Sequence, residues 1–186
     1  AVDANDGNGA TVDVTLDAMG ADITAVNAAN DFGTAEIIGG NATLVDVNAF
    51  EFGDSSVTGN VMLTAGGDVT DFDGATVNID GLLSIDTTGN INLNNAGNDI
   101  NDLEIVNAGD AIIDNDDANG VALQSINTTG FLQVTSEGPI TVETTTTVIT
   151  VGTTATFITN DDAGSAITID TLLFTAGGTV TAQALN

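Results

Sequence analysis

The sequence has no Lys, Arg, His, Cys, Trp or Tyr and a single Pro. Each absence removes a class of function. Without Cys there is no disulfide framework, no thiolate nucleophile and no Cys-based zinc site. Without His or a basic residue the chain cannot build a Ser-His triad, a phosphate clamp or a Schiff-base lysine. Nucleic acid is not expected as a partner, because nothing here neutralises a phosphate backbone. No run approaches the roughly 18 apolar residues of a membrane-spanning helix, so membrane insertion is not expected either. The chain begins at Ala1 rather than Met, as expected of a processed product or a piece of something longer.

What remains is acidic and β-branched. The 186 residues include 27 acids, 22 Gly and 42% hydrophobic residues, for a net charge of -27. Every interaction between ionised side chains is therefore repulsive and is relieved by salt. That charge fits a salty extracellular medium. It does not signal disorder, because the apolar residues are regularly placed.

Alternation, not helical spacing, organises them. Val12, Val14 and Leu16 alternate with polar residues, as do Val61 and Leu63, Val77 and Ile79, Ile91 and Leu93, and Leu103 and Ile105. The pattern continues through Val121 and Leu123, Leu132 and Val134, Ile140 and Val142, and Ile167 and Ile169. Period two places each set on one face of a strand. The runs end at Gly, Asn or Asp, which tolerate turn conformations. The chain is expected to be all-β.

Internal repeats select the architecture. Asn27-Ala28-Ala29-Asn30-Asp31-Phe32 matches Asn95-Ala96-Gly97-Asn98-Asp99-Ile100, and at the same offset Thr43 to Asp46 falls on Ala111 to Asp114. At a slightly longer offset, Gly59 to Leu63 falls on Gly130 to Val134. Shorter echoes relate Ser84 to Gly89 with Ser125 to Gly130, and Leu63 to Thr70 with Phe174 to Thr181. Gly20, Gly40 and Gly59 are about twenty apart, as are Gly89, Gly109 and Gly130. A unit of that size cannot enclose a core alone and must stack on its neighbours. The expected fold is a right-handed parallel β-helix, a β-solenoid of roughly 20–24 residues per coil and roughly eight coils. On this reading the long repeat spans about three coils, and residues 1–186 form one solenoid module. An antiparallel β-sandwich is the alternative. The repeats, the glycine spacing and a lack of aromatic core anchors favour the solenoid.

The strings Gly59 to Thr70, Asn27 to Thr34 and Asn95 to Leu103 resemble the repeats of filamentous-haemagglutinin-like giant adhesins. The resemblance runs roughly from Thr11 to Thr181. It implies a right-handed parallel β-helix exported to the bacterial cell surface as a stalk, filament or adhesive fibre. The chain departs from the family in having no Lys or Arg.

Two chemistries are compatible with so many carboxylates. Glycoside hydrolysis needs two at a suitable separation. The clusters Asp71 with Asp73, Asp99 with Asp102, Asp114 to Asp117 and Asn160 to Asp162 read more simply as turn residues making Asx-turn hydrogen bonds, so no enzyme is expected and no cofactor is required. Calcium is the candidate ion, since Asp, Asn, Thr and turn carbonyls are its hard ligands. The densest runs supply Asp114, Asp116 and Asp117, and Asp161 and Asp162, as metal candidates. The function expected is a non-enzymatic extracellular segment or subunit of an adhesive fibre that self-associates into filaments and meets a surface glycan or receptor. The alternative is a calcium- or carbohydrate-binding module of a secreted protein.

Overall fold

The computed structural model describes residues 13–142, 148–160, 166–169 and 173–184. Among them there is no helix, and twenty short strands follow one another. The first are β1 (Val14–Asp17), β2 (Ile23–Ala25), β3 (Thr34–Gly39), β4 (Ala42–Asp46), β5 (Phe50–Phe52), β6 (Ser55–Val57) and β7 (Val61–Ala65). Next come β8 (Val69–Asp71), β9 (Val77–Thr87), β10 (Ile91–Leu93), β11 (Asp99–Ala108), β12 (Ala111–Asn115), β13 (Val121–Thr128) and β14 (Leu132–Ser136). The last are β15 (Ile140–Val142), β16 (Val148–Val151), β17 (Ala155–Thr159), β18 (Ile167–Ile169), β19 (Leu173–Ala176) and β20 (Val180–Ala184).

The strands wind as a β-solenoid of about 7 turns, close to the eight expected. All their ladders are parallel, which removes the sandwich alternative. Three sides result. Side A stacks β2, β4, β7, the later parts of β9, β11 and β13, then β16 and β19. Side B stacks β5, β8, β10, β12, β14, β17 and β20. Side C stacks the end of β3, then β6, the early parts of β9, β11 and β13, then β15 and β18. Winding length is not constant. The winding from Ala42 to its partner Val61 is short, and the one from Ile149 to its partner Phe174 is longer.

Alternation puts one residue in two into the lumen. Leu44, Leu63, Ile85, Ile105, Ile126 and Ile149 form one column on side A, each almost wholly buried. Burying a side chain of this size stabilises by about 1.5–3 kcal/mol. In the last windings the pattern is looser, with Ile169 and Val180 exposed.

Two sequence expectations are corrected. Aromatic anchors are present: Phe32, Phe50, Phe52 and Phe157 are fully buried, and the first three meet edge to face at centroid distances of 6.1 and 4.9 Å. With so few aromatics in the chain, composition hides their concentration in the core. The long repeat is also not a whole number of windings. Thr43 to Asp46 lies on side A and Ala111 to Asp114 on side B, so the repeat spans three windings and one further side. The shorter echoes do keep their side: Ser84 and Ser125, like Leu63 and Phe174, all lie on side A.

The corners carry a repeated Gly-Asx device. Where side C turns into side A, the Asn41 N–H donates to Asp22 Oδ1 at 2.9 Å, the Asn60 N–H to Asn41 Oδ1 at 2.9 Å, and the Leu82 N–H to Asn60 Oδ1 at 3.0 Å. Where side A turns into side B, the N–H groups of Asn90, Asp110 and Phe131 donate to Asp68, Asn90 and Asp110 at 2.7, 2.9 and 2.9 Å. A glycine precedes each of these donors because the acceptor oxygen of the winding below occupies the space of its Cβ. Such an atom on Gly59, Gly81 or Gly109 would fall on Asn41, Asn60 or Asn90 Oδ1. Asn90→Ala is expected to cost about 0.5–1.5 kcal/mol by removing the acceptor of the exposed Asp110 N–H. Gly109→Ala should cost less in that background than in the wild type, because the added methyl no longer meets Oδ1. Denaturant unfolding of both single variants and the double variant measures the coupling.

Candidate functional site

Side B joins side C through turns of three to five residues, and the acidic runs gather there. Residues 72–76, 94–98, 116–120 and 137–139 make successive turns of this corner. The positive φ of Gly74, Gly97 and Gly120, at 81°, 100° and 86°, turns the chain where a side chain would be strained. At Gly120 an added Cβ would also strike the Pro139 backbone in the next winding. Asp71, Asp73, Asp99, Asp114, Asp116, Asp117 and Glu137 all lie on or beside this corner.

Several of these acids are occupied as turn builders. Asp71 accepts from the N–H groups of Asn94 and Asn95 at 3.3 and 3.0 Å and from Asn98 Nδ2 at 2.7 Å. Asp117 Oδ1 accepts from both the backbone N–H and the Nδ2 of Asn119, at 2.8 and 2.9 Å, closing an Asx turn. Buried Asx side chains also accept backbone N–H groups at or near the start of strands in the winding below. Val77 donates to Asn98 Oδ1 at 3.0 Å, Ile100 to Asn115 Oδ1 at 2.6 Å, and Phe32 to Asp46 Oδ2 at 2.8 Å. The repeated hexapeptide now has a physical role: its fourth residue, Asn30 or Asn98, is buried inside a turn.

Of the metal candidates, Asp114 and Asp116 flank the end of β12, Asp116 is exposed, and Asp117 is buried in its Asx turn. Asp161 and Asp162 lie outside the described residues. Among the described residues, no three carboxylates are grouped round a point that a metal ion could occupy. Asp102 stands apart, hydrogen-bonded by Gln124 Nε2 at 3.2 Å.

Crowding and burial disturb three carboxyls. Burial is the largest effect pushing Asp99 up, followed by the charges of Asp117 and Asp80. Burial also raises Asp114, with Asp116, Glu137 and Asp71 adding repulsion and the Asn115 N–H opposing. Asp46 is raised by burial despite donation from the N–H groups of Asn48 and Phe32. Asp22 goes the other way, lowered by the backbone and side chain of Asn41.

A cleft of about 300 Å³ opens beside this corner in the early windings, lined by Asp13, Thr15, Glu36, Asp54, Phe72 and Asp73. Thr15 Oγ1 donates to Glu36 Oε2 at 2.8 Å, and the Thr76 N–H fixes Asp54 Oδ1 at 3.0 Å. Phe72, 54% exposed, stands on a turn closed by Ala75 N–H donating to the Phe72 carbonyl at 2.8 Å. The cleft offers carboxylate acceptors and one aromatic face. Sequence reasoning does not single out Glu36, Asp54 or Phe72, because they come from three windings. The local signal is a large aromatic beside Asp and Gly in a turn, Phe72-Asp73-Gly74.

The pH dependence follows from the raised carboxyls. A group whose folded value lies above 3.8 binds protons more readily folded than unfolded, so stability falls as pH rises through the interval between them. Asp46, Asp99 and Asp114 therefore favour the fold as pH drops towards 3.8, and loss of net repulsion acts in the same direction. Asp22 opposes them below 3.8. The melting temperature should rise between pH 7 and this lower limit, less steeply in high salt, as circular dichroism melts will show.

Residues 39–107 match a family described as Repeats of unknown function (DUF5649). No curated protein and no solved structure matches the chain. The matched stretch runs from β3 into β11 and includes Gly40-Asn41, Gly59-Asn60, Gly67-Asp68 and Gly89-Asn90, the units of both corner ladders. The chain is a β-solenoid repeat protein.

Proposed function

We propose that the chain is a non-enzymatic structural segment of an extracellular, adhesive surface fibre. The observation that carries this reading is the continuity of the stack. The buried column on side A and the two Gly-Asx ladders pass from winding to winding, so length can be added without redesigning the core. Parallel hydrogen bonds running along the axis share a bending or pulling load among many weak contacts. A chain without Lys or Arg also presents no site to trypsin-like proteases. Copies would associate by coil-on-coil stacking, a heterologous contact that propagates rather than closes. Electron microscopy of concentrated protein in high salt should show filaments one solenoid wide. Discrete monomers under those conditions would count against polymerisation.

The second reading, a calcium- or carbohydrate-binding module, is supported by the cleft around Phe72 and by the acidic corner between sides B and C. An aromatic face flanked by acceptors suits a sugar ring and its hydroxyls. Divalent ions would act collectively on the corner, by screening Asp99, Asp114, Asp116 and Asp117. Millimolar calcium is accordingly expected to raise the melting temperature above that in chelator, and equal values in differential scanning calorimetry would remove the calcium reading. A glycan array, repeated with Phe72→Ala, addresses the sugar.

A further inference from the structure

Three buried polar groups at the end of side B lack a hydrogen-bond partner among the described residues: Asn115 Nδ2, Ser136 Oγ and Thr159 Oγ1. All three residues are 0% exposed. They are also in register, Asn115 over Ser136 and Ser136 over Thr159, so they form one file through three windings. Earlier windings fill the same corner differently. There Asp71 and Asn98 are joined directly at 2.7 Å, and backbone N–H groups complete the set.

An unpaired polar group buried in an apolar lumen costs about 1–3 kcal/mol, so three in a file call for a common solution. Equivalent atoms in stacked windings stand about 4.8 Å apart. That is too far for a direct hydrogen bond, which ends near about 3.2 Å, and close to the span of two bonds meeting on one water. The chemistry balances. Asn115 Nδ2 can only donate, while the Ser136 and Thr159 hydroxyls both donate and accept. The carbonyls of Asn115 and Ser136 each receive one N–H, from Glu137 and Asn160 at 2.9 Å, and retain a second lone pair. We propose that this corner is a binding site for ordered internal water, with one molecule bridging Asn115 to Ser136 and another bridging Ser136 to Thr159. The waters are structural ligands, held inside the lumen beneath the turns that carry Asp116, Asp117 and Glu137.

The sign of a stability change tests the proposal. If each hydroxyl holds a water, Ser136→Ala and Thr159→Val remove hydrogen bonds and strand the remaining partners. Each variant should then melt about 2–4 °C lower than the wild type. If the corner is dry, the same substitutions delete an unsatisfied group, and the melting temperature stays constant or rises. Either of those results overturns the proposal. A second measurement needs no variant. Water-selective NOE spectra of the unmodified protein should show cross-peaks from the Asn115 side-chain amide protons to long-lived water, and their absence in an assigned spectrum overturns it equally.

Discussion

Parallel stacking satisfies the backbone along each side of the solenoid, but a corner interrupts the ladder and leaves an N–H pointing at a neighbouring winding. Nearly everything else in the molecule accommodates that N–H. At two corners an Asn or Asp of the lower winding takes it, and the oxygen that does so occupies the space beneath Gly59, Gly81 and Gly109 where a Cβ would stand. At the third corner a buried Asx from the next winding takes the N–H that starts a strand, as Asn98 does for Val77. The abundance of Gly and Asx in the composition is therefore a property of corners.

The absence of cations shapes the surface in a related way. Carboxylates that elsewhere would face Lys or Arg are met by hydroxyls one winding away. Thr15 donates to Glu36 at 2.8 Å, Thr34 to Glu51 at 2.5 Å and Ser84 to Glu104 at 2.6 Å. These rungs hold neighbouring coils together without neutralising anything, so the full charge of -27 remains to repel. Charge-assisted hydrogen bonds stabilise more than neutral ones, typically by about 1.5–3 kcal/mol. The acidic fold is thus supported by donors that carry no charge, and it gains from salt or mild acid rather than from internal pairing.

How much of this is legible in the sequence depends on range. Alternation such as Val61 with Leu63, or Leu132 with Val134, is local and locates the strands and their inward faces. Turn residues are equally legible, because Asn95 to Asn98 and Asp117 to Gly120 form turns through contacts within a few residues. Contacts between windings are not. The windings that begin at Ala42, Val61 and Ile149 close at Val61, Leu83 and Phe174, three different lengths that no fixed offset aligns. That variation hides the Gly-Asx ladders, which need the true register to be seen. It also hides the cleft, whose walls at Glu36, Asp54 and Phe72 are brought together only by stacking. The run of acids from Asp114 to Asp117 is local, and so is the Asx turn that engages Asp117.

The long repeat, which carries a segment from side A to side B, implies that the sides are interchangeable modules. A strand that suits one wall of the prism suits the next, since each wall demands only an alternating segment entered from a glycine bend. Duplication of such a block would rotate the inherited pattern by one wall relative to its parent, and the prism would still close. Growth by that block is counted in walls rather than in full circuits, and outward-facing residues descending from it spiral around the shaft, whereas the shorter echoes stay in line along side A.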